Sequence, residues 1–355
     1  MGGSVDGPCF PWGEVRSGQA WGHTYRVLNN RPHATVVVPT RGGVGRLPVL
    51  LNVLARQTLT DFEVVVVVDG DIDDTAGMLG RDYPHVQVIV FPENRGRAAA
   101  LSAGFAAARG EILIRSDDDL EPRRDFVASH VAAHADGPGG AIGMCANVYL
   151  NNNPYSRSYG VDRDVLLRKA AVAADPAVNW RYWGGNVSVP RDVYAQIGEY
   201  DTDYVGYGYE DTDWGWRLHE AGFPIVVRPE LEVLHHGAAV TAEIRTQRAF
   251  ASGMARHLFE SKHPAAASAV RERSPWDDLV GVTAWRAGVG RSLALARFAD
   301  ATVGVLPHPV AHKVVALSVE AAGKAGFATA KRRADADPAA AGSVPAADAP
   351  SRSRR

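Results

Sequence analysis

From His33 the chain alternates between short runs of β-branched residues and segments with helical spacing. Thr35-Val36-Val37-Val38-Pro39 predicts a buried strand, closed by Pro39 and the turn-prone Arg41-Gly42-Gly43. Leu47, Leu50, Leu51 and Leu54 then recur at the period of a helix. Glu63–Val68 is apolar on both faces, as parallel strands are, and ends at Asp69. A short helix near Asp74–Tyr83, a strand over Val86–Phe91, an Ala-rich helix from Arg97 to Arg109 stopped by Gly110, and a strand over Glu111–Ser116 follow. Four such repeats with short connections predict an α/β fold: a mostly parallel, Rossmann-like sheet with helices on both faces.

Near residue 140 the alternation stops. The pattern predicts a strand over Ala141–Leu150, a polar loop over Asn151–Ser158 and a helix around Asp162–Ala174. After Trp183-Gly184-Gly185-Asn186 come a short strand, a helix from about Arg191, and a helix over Glu210–Ala221 with Gly222 as its C-cap. Ile225–Val227 and Leu231–Leu234 read as one extended segment ending at His235-His236. Beyond about residue 265, helical periodicity runs through Val289–Val305 and Val310–Phe327. Residues 1–32 read as an irregular arm, and 331–355, almost free of large apolar groups, as a disordered tail.

Composition narrows the function classes. At 355 residues, 46% hydrophobic and 22% charged, the chain has the profile of a globular protein with a full core. A net charge of −2 gives no reason to expect nucleic acid as a partner. Two cysteines, Cys9 and Cys145, make neither a disulfide framework nor a thiolate cluster, and fit a reducing cytosol. No signal peptide and no apolar run of about 20 residues are apparent, so a cytoplasmic location is expected.

The candidate chemistry lies where strands end. Ile112–Ser116 runs straight into Asp117-Asp118-Asp119, delivering three carboxylates to the edge where α/β sheets bind ligands. Like charges this close repel by roughly 4 kcal/mol at an effective dielectric of about 20, so a hard divalent cation is the simplest partner. Asp117 and Asp119 are spaced to meet one ion, and Asp118 points elsewhere. A solvated acidic turn explains the triplet equally well. Asp69 ends a parallel strand on the same edge; an Asx turn into Gly70 is its plain alternative. Glu210-Asp211-Thr212-Asp213 opens a helix, where the dipole favours acids. The preceding run Tyr204-Val205-Gly206-Tyr207-Gly208-Tyr209 suits carbohydrate stacking, and a carboxylate beside it suits a general base. His235 and His236 end the extended segment, where an imidazole could complete a carboxylate–metal site.

In order and wording these motifs resemble family 2 inverting glycosyltransferases of the GT-A fold. The resemblance rests on Val38-Pro39-Thr40-Arg41, on Gln57–Val64, on Asn94-Arg95-Gly96 through Glu111, and on Asp117-Asp118-Asp119. It continues through Gly184–Val189, Gly198-Glu199-Tyr200-Asp201 and Glu210–Asp213, a segment similar to chondroitin polymerases and polypeptide N-acetylgalactosaminyltransferases. It implies a nucleotide half over residues 33–122 and an acceptor half over 123–265, to which the helical periodicity adds an extension over 266–330. The activity implied is transfer from a nucleotide-diphosphate sugar, a UDP-sugar by preference, to an acceptor hydroxyl, giving a β-linkage with Mn2+ or Mg2+ as cofactor. The acceptor would be a glycan, a lipid-linked glycan or a small molecule.

Carried over by residue, Pro39, Thr40, Arg41, Asp69, Asn94, Arg97, Asp117 and Asp118 would hold the nucleotide. Asp117, Asp119 and His235 or His236 would hold the metal. Asp211 would be the base with Glu210 beside it, and Trp183, Gly184, Gly185, Asn186 and Tyr207 would line the acceptor side. Two departures stand out. Asp69-Gly70-Asp71-Ile72 replaces the usual Asp-Asp-Gly-Ser, which opens Asp71 as an alternative base contact, and Arg41 replaces an aromatic. A non-catalytic GT-A binding module and a sugar nucleotidyltransferase are the rival readings. The C-terminal helices carry Arg286, Arg291 and Arg297 beside Leu293, Leu295 and Phe298, a pattern that permits peripheral contact with the inner face of a membrane.

Overall fold

The computed structural model describes residues 31–149, 152–267 and 275–336. In chain order the strands are β1 (Ala34–Thr40), β2 (Phe62–Asp69), β3 (Gln87–Phe91), β4 (Ile112–Ser116), β5 (Leu120–Glu121), β6 (Gly140–Ile142), β7 (Cys145–Asn147), β8 (Asn186–Pro190), β9 (Ile225–Val227) and β10 (Val233–His235). Seven form the main sheet in the order β3-β2-β1-β4-β8-β6-β9. β1 to β4 are parallel, as the four repeats predict, and β8 joins β4 antiparallel. The order reverses at β1 and β4, so a crevice opens beyond their carboxyl ends.

Strand alternation builds the two faces. Val36 and Val38 of β1 pack on Leu47, Leu50, Leu51 and Leu54 of α1 (Leu47–Leu54) and on Met78 and Leu79 of α2 (Thr75–Asp82). Val37, one residue out of phase, packs with Leu101 and Phe105 of α3 (Arg97–Ala107) on the opposite side. Each valine buried this way contributes about 1.5–3 kcal/mol, which is why a one-residue register slip is not tolerated. α4 (Phe126–Ala132) covers the first face through Phe126 and Val127. α5 (Val161–Val172), α6 (Arg191–Ile197) and α7 (Glu210–Glu220) follow, and Val193 and Trp214 place α6 and α7 on the second face.

Three expectations for the second half are corrected. The single strand expected over Ala141–Leu150 is two, β6 in the main sheet and β7 in a separate three-stranded sheet, β5-β10-β7. The extended segment from Ile225 to His235 is likewise split by a 3-10 turn at Pro229–Leu231, which sends β9 to one sheet and β10 to the other. The polar loop expected up to Ser158 is already helical at Ser156–Gly160.

Among the described residues three long helices follow the sheets, α8 (Ala242–Lys262), α9 (Pro275–Thr302) and α10 (His308–Ala336), with a single helical turn at Pro264–Ala267 after α8. The long helices pack through small residues, Ala296, Ala299, Ala311, Val315 and Val319 among them. A Cβ on Gly253 would lie 2.0 Å from the Gly323 carbonyl oxygen, so α8 and α10 meet backbone to backbone. Asp300 of α9 accepts the N–H groups of Ala242 (2.7 Å) and Glu243 (3.0 Å), satisfying orphan donors at the start of α8. α10 runs on to Ala336, so residues 331–336 are helical and not part of a disordered tail. Residues 1–30 of the expected arm and 337–355 of the expected tail lie outside the described residues. No described helix is long and apolar enough to cross a membrane.

Candidate active site

The acids at the carboxyl edge divide into three separate clusters. Asp118 is buried, and its carboxylate accepts from Thr40 Oγ1 at the end of β1 (2.5 Å) and from Arg46 Nε (3.1 Å) and Nη2 (2.6 Å). Burial raises its pKa above the ordinary carboxylate value, against the pull of Arg46 and Thr40. The middle acid of the triplet thus ties β4 to β1 and the following turn.

Asp119 faces the other way. Its Oδ1 lies 3.3 Å from His235 Nε2, and His235 Nδ1 hydrogen-bonds with Asn147 Oδ1 (2.6 Å). The small sheet makes this meeting: β10 pairs His235 with Leu120 of β5 and with Asn147 of β7. Gly237 closes the corner, where a Cβ would lie 2.8 Å from His235 Nε2 and collide with Asp119. Burial opposes charging His235, but Asp119 and Asp117 outweigh it and raise its pKa. His236 points to Glu121 instead, with Nε2 2.7 Å from Oε2. Among the described residues no three His, Cys, Asp or Glu side chains gather as a metal cage. Asp119 and His235, partly exposed and adjacent, suit a cation that completes its shell with water and phosphate oxygens.

Asp117 belongs to the third cluster. Its N–H donates to the Gly185 carbonyl (2.9 Å), and a Cβ on Gly185 would lie 2.4 Å from Asp117 Oδ2, so that position needs glycine. Arg115 Nη2 donates to Asp117 Oδ1 (3.1 Å), while Arg115 Nη1 pairs with Asp211 of α7. Burial would raise the pKa of Asp117, but Arg115 and Arg97 bring it down to about 2. Glu210 is 1% exposed and receives Arg97 Nη1 at 3.0 Å. Tyr207, 39% exposed, has its ring 6.0 Å from the guanidinium carbon of Arg97 and 5.8 Å from that of Arg248 of α8. The loop enters α7 through Gly208 and Tyr209, both in left-handed backbone, with φ of 94° and 71°.

Several expected contacts are engaged elsewhere. Asp69 is buried and accepts the N–H groups of Arg95 (2.6 Å) and Gly96 (2.9 Å), holding the loop that leads into α3. Asp71 caps α2 through Thr75 N (2.9 Å) and Ala76 N (3.1 Å). Asn94 accepts from Gly96 N (3.2 Å), and Arg41, exposed, gives its carbonyl to Arg46. Pro39 is buried in β1 opposite Val67 of β2. Trp183 is a core residue: it stacks on Trp214 (5.0 Å) and donates to Tyr200 Oη (3.2 Å). Asn186 is also internal, bonded to His130 Nε2 (3.0 Å) and to the Leu231 carbonyl (2.8 Å). Tyr204 is buried against Asp213 (3.2 Å) and Tyr209 packs on Phe259, so of the three loop tyrosines Tyr207 is the one at the surface. Gly184 has open space beside it: a Cβ there would lie 3.7 Å from its nearest neighbour, the Tyr182 carbonyl oxygen.

Sequence reasoning missed Arg46, Arg115, Asn147 and Arg248. Arg115 had a legible signal, a single charge inside an otherwise apolar strand; the other three had none.

Residues 35–198 match the family model "Glycosyl transferase family 2", and 170–237 match "N-terminal domain of galactosyltransferase". The chain is 30% identical over 230 residues to validoxylamine A glucosyltransferase of Streptomyces hygroscopicus subsp. jinggangensis, covering 56% of this chain and 54% of that one. It is 26% identical over 238 residues to pre-mycofactocin glycosyltransferase of Mycobacterium tuberculosis, covering 65% and 48%. The chain thus spans about half the length of these relatives. A mannosyltransferase from Pyrobaculum calidifontis, solved in complex with GDP-Man and Mn2+, superimposes with a TM-score of 0.53 at 20% identity, over 83% of this chain and 87% of that one. The fold is therefore the GT-A fold.

Proposed function

Starting from residues 35–198 as a family 2 glycosyltransferase domain, we propose that the chain transfers a sugar from a nucleotide-diphosphate sugar to an acceptor hydroxyl, with inversion. The observation that carries this reading is the meeting of Asp117, just beyond β4, with Asp211 from α7 on one guanidinium, beside the Asp119–His235 pair. Donor-side and acceptor-side acids then border one crevice.

In this reading Asp119 and His235 hold Mn2+ or Mg2+. The bound cation supplies Lewis-acid neutralisation of the departing diphosphate. Asp211 accepts the proton of the acceptor hydroxyl, and the oxygen attacks the anomeric carbon from the face opposite the nucleotide. An α-linked donor gives a β-linked product. Arg97 keeps Glu210 paired beside the base. A UDP-sugar is the donor we favour, and the acceptor is a glycan, a lipid-linked glycan or a small molecule.

The test is a thermal-shift screen of UDP, GDP, ADP and TDP with and without Mn2+, followed by a transfer assay with the matching sugars. A metal-dependent shift with one diphosphate and turnover of its sugar is expected. Absence of any shift, transfer or donor hydrolysis would sink the reading. Peripheral membrane contact rests on thinner support. Phe298 is 59% exposed, but Arg297 is paired with Glu243. Protein that stays in solution in liposome flotation removes that idea.

A further inference from the structure

A guanidinium in the middle of a sheet needs a reason. Arg115 sits in β4, between Val37 of β1 and Val187 of β8, and is 1% exposed. Burying such a charge costs several kcal/mol unless it is paired. One partner is local, Asp117, two residues on, and the other comes from a distant part of the chain, Asp211 on α7. The Tyr200 ring, 6.0 Å from the guanidinium carbon, closes the remaining side. Apart from this residue β4 reads Ile-Leu-Ile-Ser, and a leucine would serve the sheet as well.

The two oxygens of Asp211 are not equivalent. Oδ1 is closed off from solvent on the Arg115 side. The side chain nevertheless keeps 17% exposure, which therefore belongs to its other atoms, Oδ2 among them. A rigid fork that grips one oxygen aims the other.

We infer that Arg115 is a positioning residue for transfer: it fixes Oδ1 of Asp211 so that Oδ2 faces the acceptor hydroxyl, and it locks that carboxylate to Asp117 on the donor side. The inference rests on Asp211 being the base. It accounts for how an acid on a helix beyond the Gly-Tyr loop keeps a fixed place relative to a strand end. Lysine, a point charge without the fork, can neutralise the two acids but cannot hold both in register.

The experiment compares Arg115→Lys, Arg115→Met, Asp211→Asn and the Arg115→Lys/Asp211→Asn double variant in the full chain, using the nucleotide sugar and acceptor that the wild type turns over. The expected result is a fall in kcat of about a hundredfold in Arg115→Lys, the cost of a misplacement on the order of 1 Å. Donor KM should stay within about threefold and the melting temperature near wild type, with Arg115→Met lower in kcat again. In the double variant the lysine should add little to the loss from Asp211→Asn, because both act on one step. A kcat of Arg115→Lys within threefold of wild type would overturn the inference. So would independent, multiplicative losses in the double variant, or a fall in kcat that merely tracks a fall in melting temperature. If Arg115→Met does not fold, Arg115→Lys alone decides. A wild type without turnover would instead overturn the transferase reading, so the two failures are distinguishable.

Discussion

The two sides of the crevice, donor side and acceptor side in the proposed reading, are built by different rules. On the donor side, side chains reach the rim because strands end there. Thr40, Asp69 and Asp117–Asp119 all stand at or just beyond the carboxyl ends of β1, β2 and β4. On the acceptor side, the residues that look most like sugar contacts turn inward. Trp183, Tyr200 and Trp214 stack into one aromatic core, with Tyr204 buried nearby. A parallel strand fixes where its last residue goes, whereas a large ring on a loop or helix gains by turning to the side that buries it, as Trp183, Tyr204 and Trp214 do and Tyr207 does not.

Four variants break or sharpen this contrast. The largest effect is expected at the point where the two sides meet. Asp211→Asn should lower kcat about 10²–10⁴-fold, the usual worth of a general base, with nucleotide binding unchanged by calorimetry. Transfer at the wild-type rate would remove Asp211 from the mechanism. Next, Trp183→Ala should destabilise by about 3–5 kcal/mol in denaturant unfolding, as large aromatic deletions in cores do. A variant with normal stability but a raised acceptor KM would return Trp183 to the acceptor side.

The third concerns pH. His130 and His134 both contact Ser188 Oγ at 2.8 Å beneath the sheet. Burial lowers their pKa values to about 3 and about 4, with His134 acting on His130 and Arg228 acting on His134 in the same direction. Their folded values lie below the ordinary histidine value. The unfolded chain therefore takes up protons first, and stability present at pH 7 is lost as pH falls below about 6.5. Between pH 6.5 and 5 the loss is about 2 kcal/mol for each. The His130→Gln/His134→Gln variant should show a flatter stability profile over that window; an unchanged slope would mean neither histidine is held neutral. The smallest effect is Tyr207→Leu. It should raise acceptor KM several-fold and leave the melting temperature nearly unchanged, since exposed cation–π contacts contribute only about 0.5–1 kcal/mol each. A large loss of stability would make Tyr207 a structural pin.

Legibility followed the same division. The Val runs of β1 and β2 were readable because parallel strands are apolar on both faces over many residues. The strands β6, β7, β9 and β10 have three residues each, too few for a period to show, and their allocation to two sheets left no mark in the sequence. Asp119 could be named from the triplet alone. That His235 and not His236 faces it depends on the phase of β10 against β5, which pairing decides.

The sequence by itself determined the strand-helix order of the first half, the edge to which the acids are delivered, and the resemblance that the family 2 model matches over residues 35–198. Those follow from local periodicity and from residues adjacent in the chain. Only the tertiary structure decided that the three consecutive acids serve three different partners: Arg115 with Asp117, Arg46 with Asp118, His235 with Asp119. Successive side chains leave a turning backbone in different directions. What each one meets is brought there by segments up to about a hundred residues away, whose approach no local pattern records.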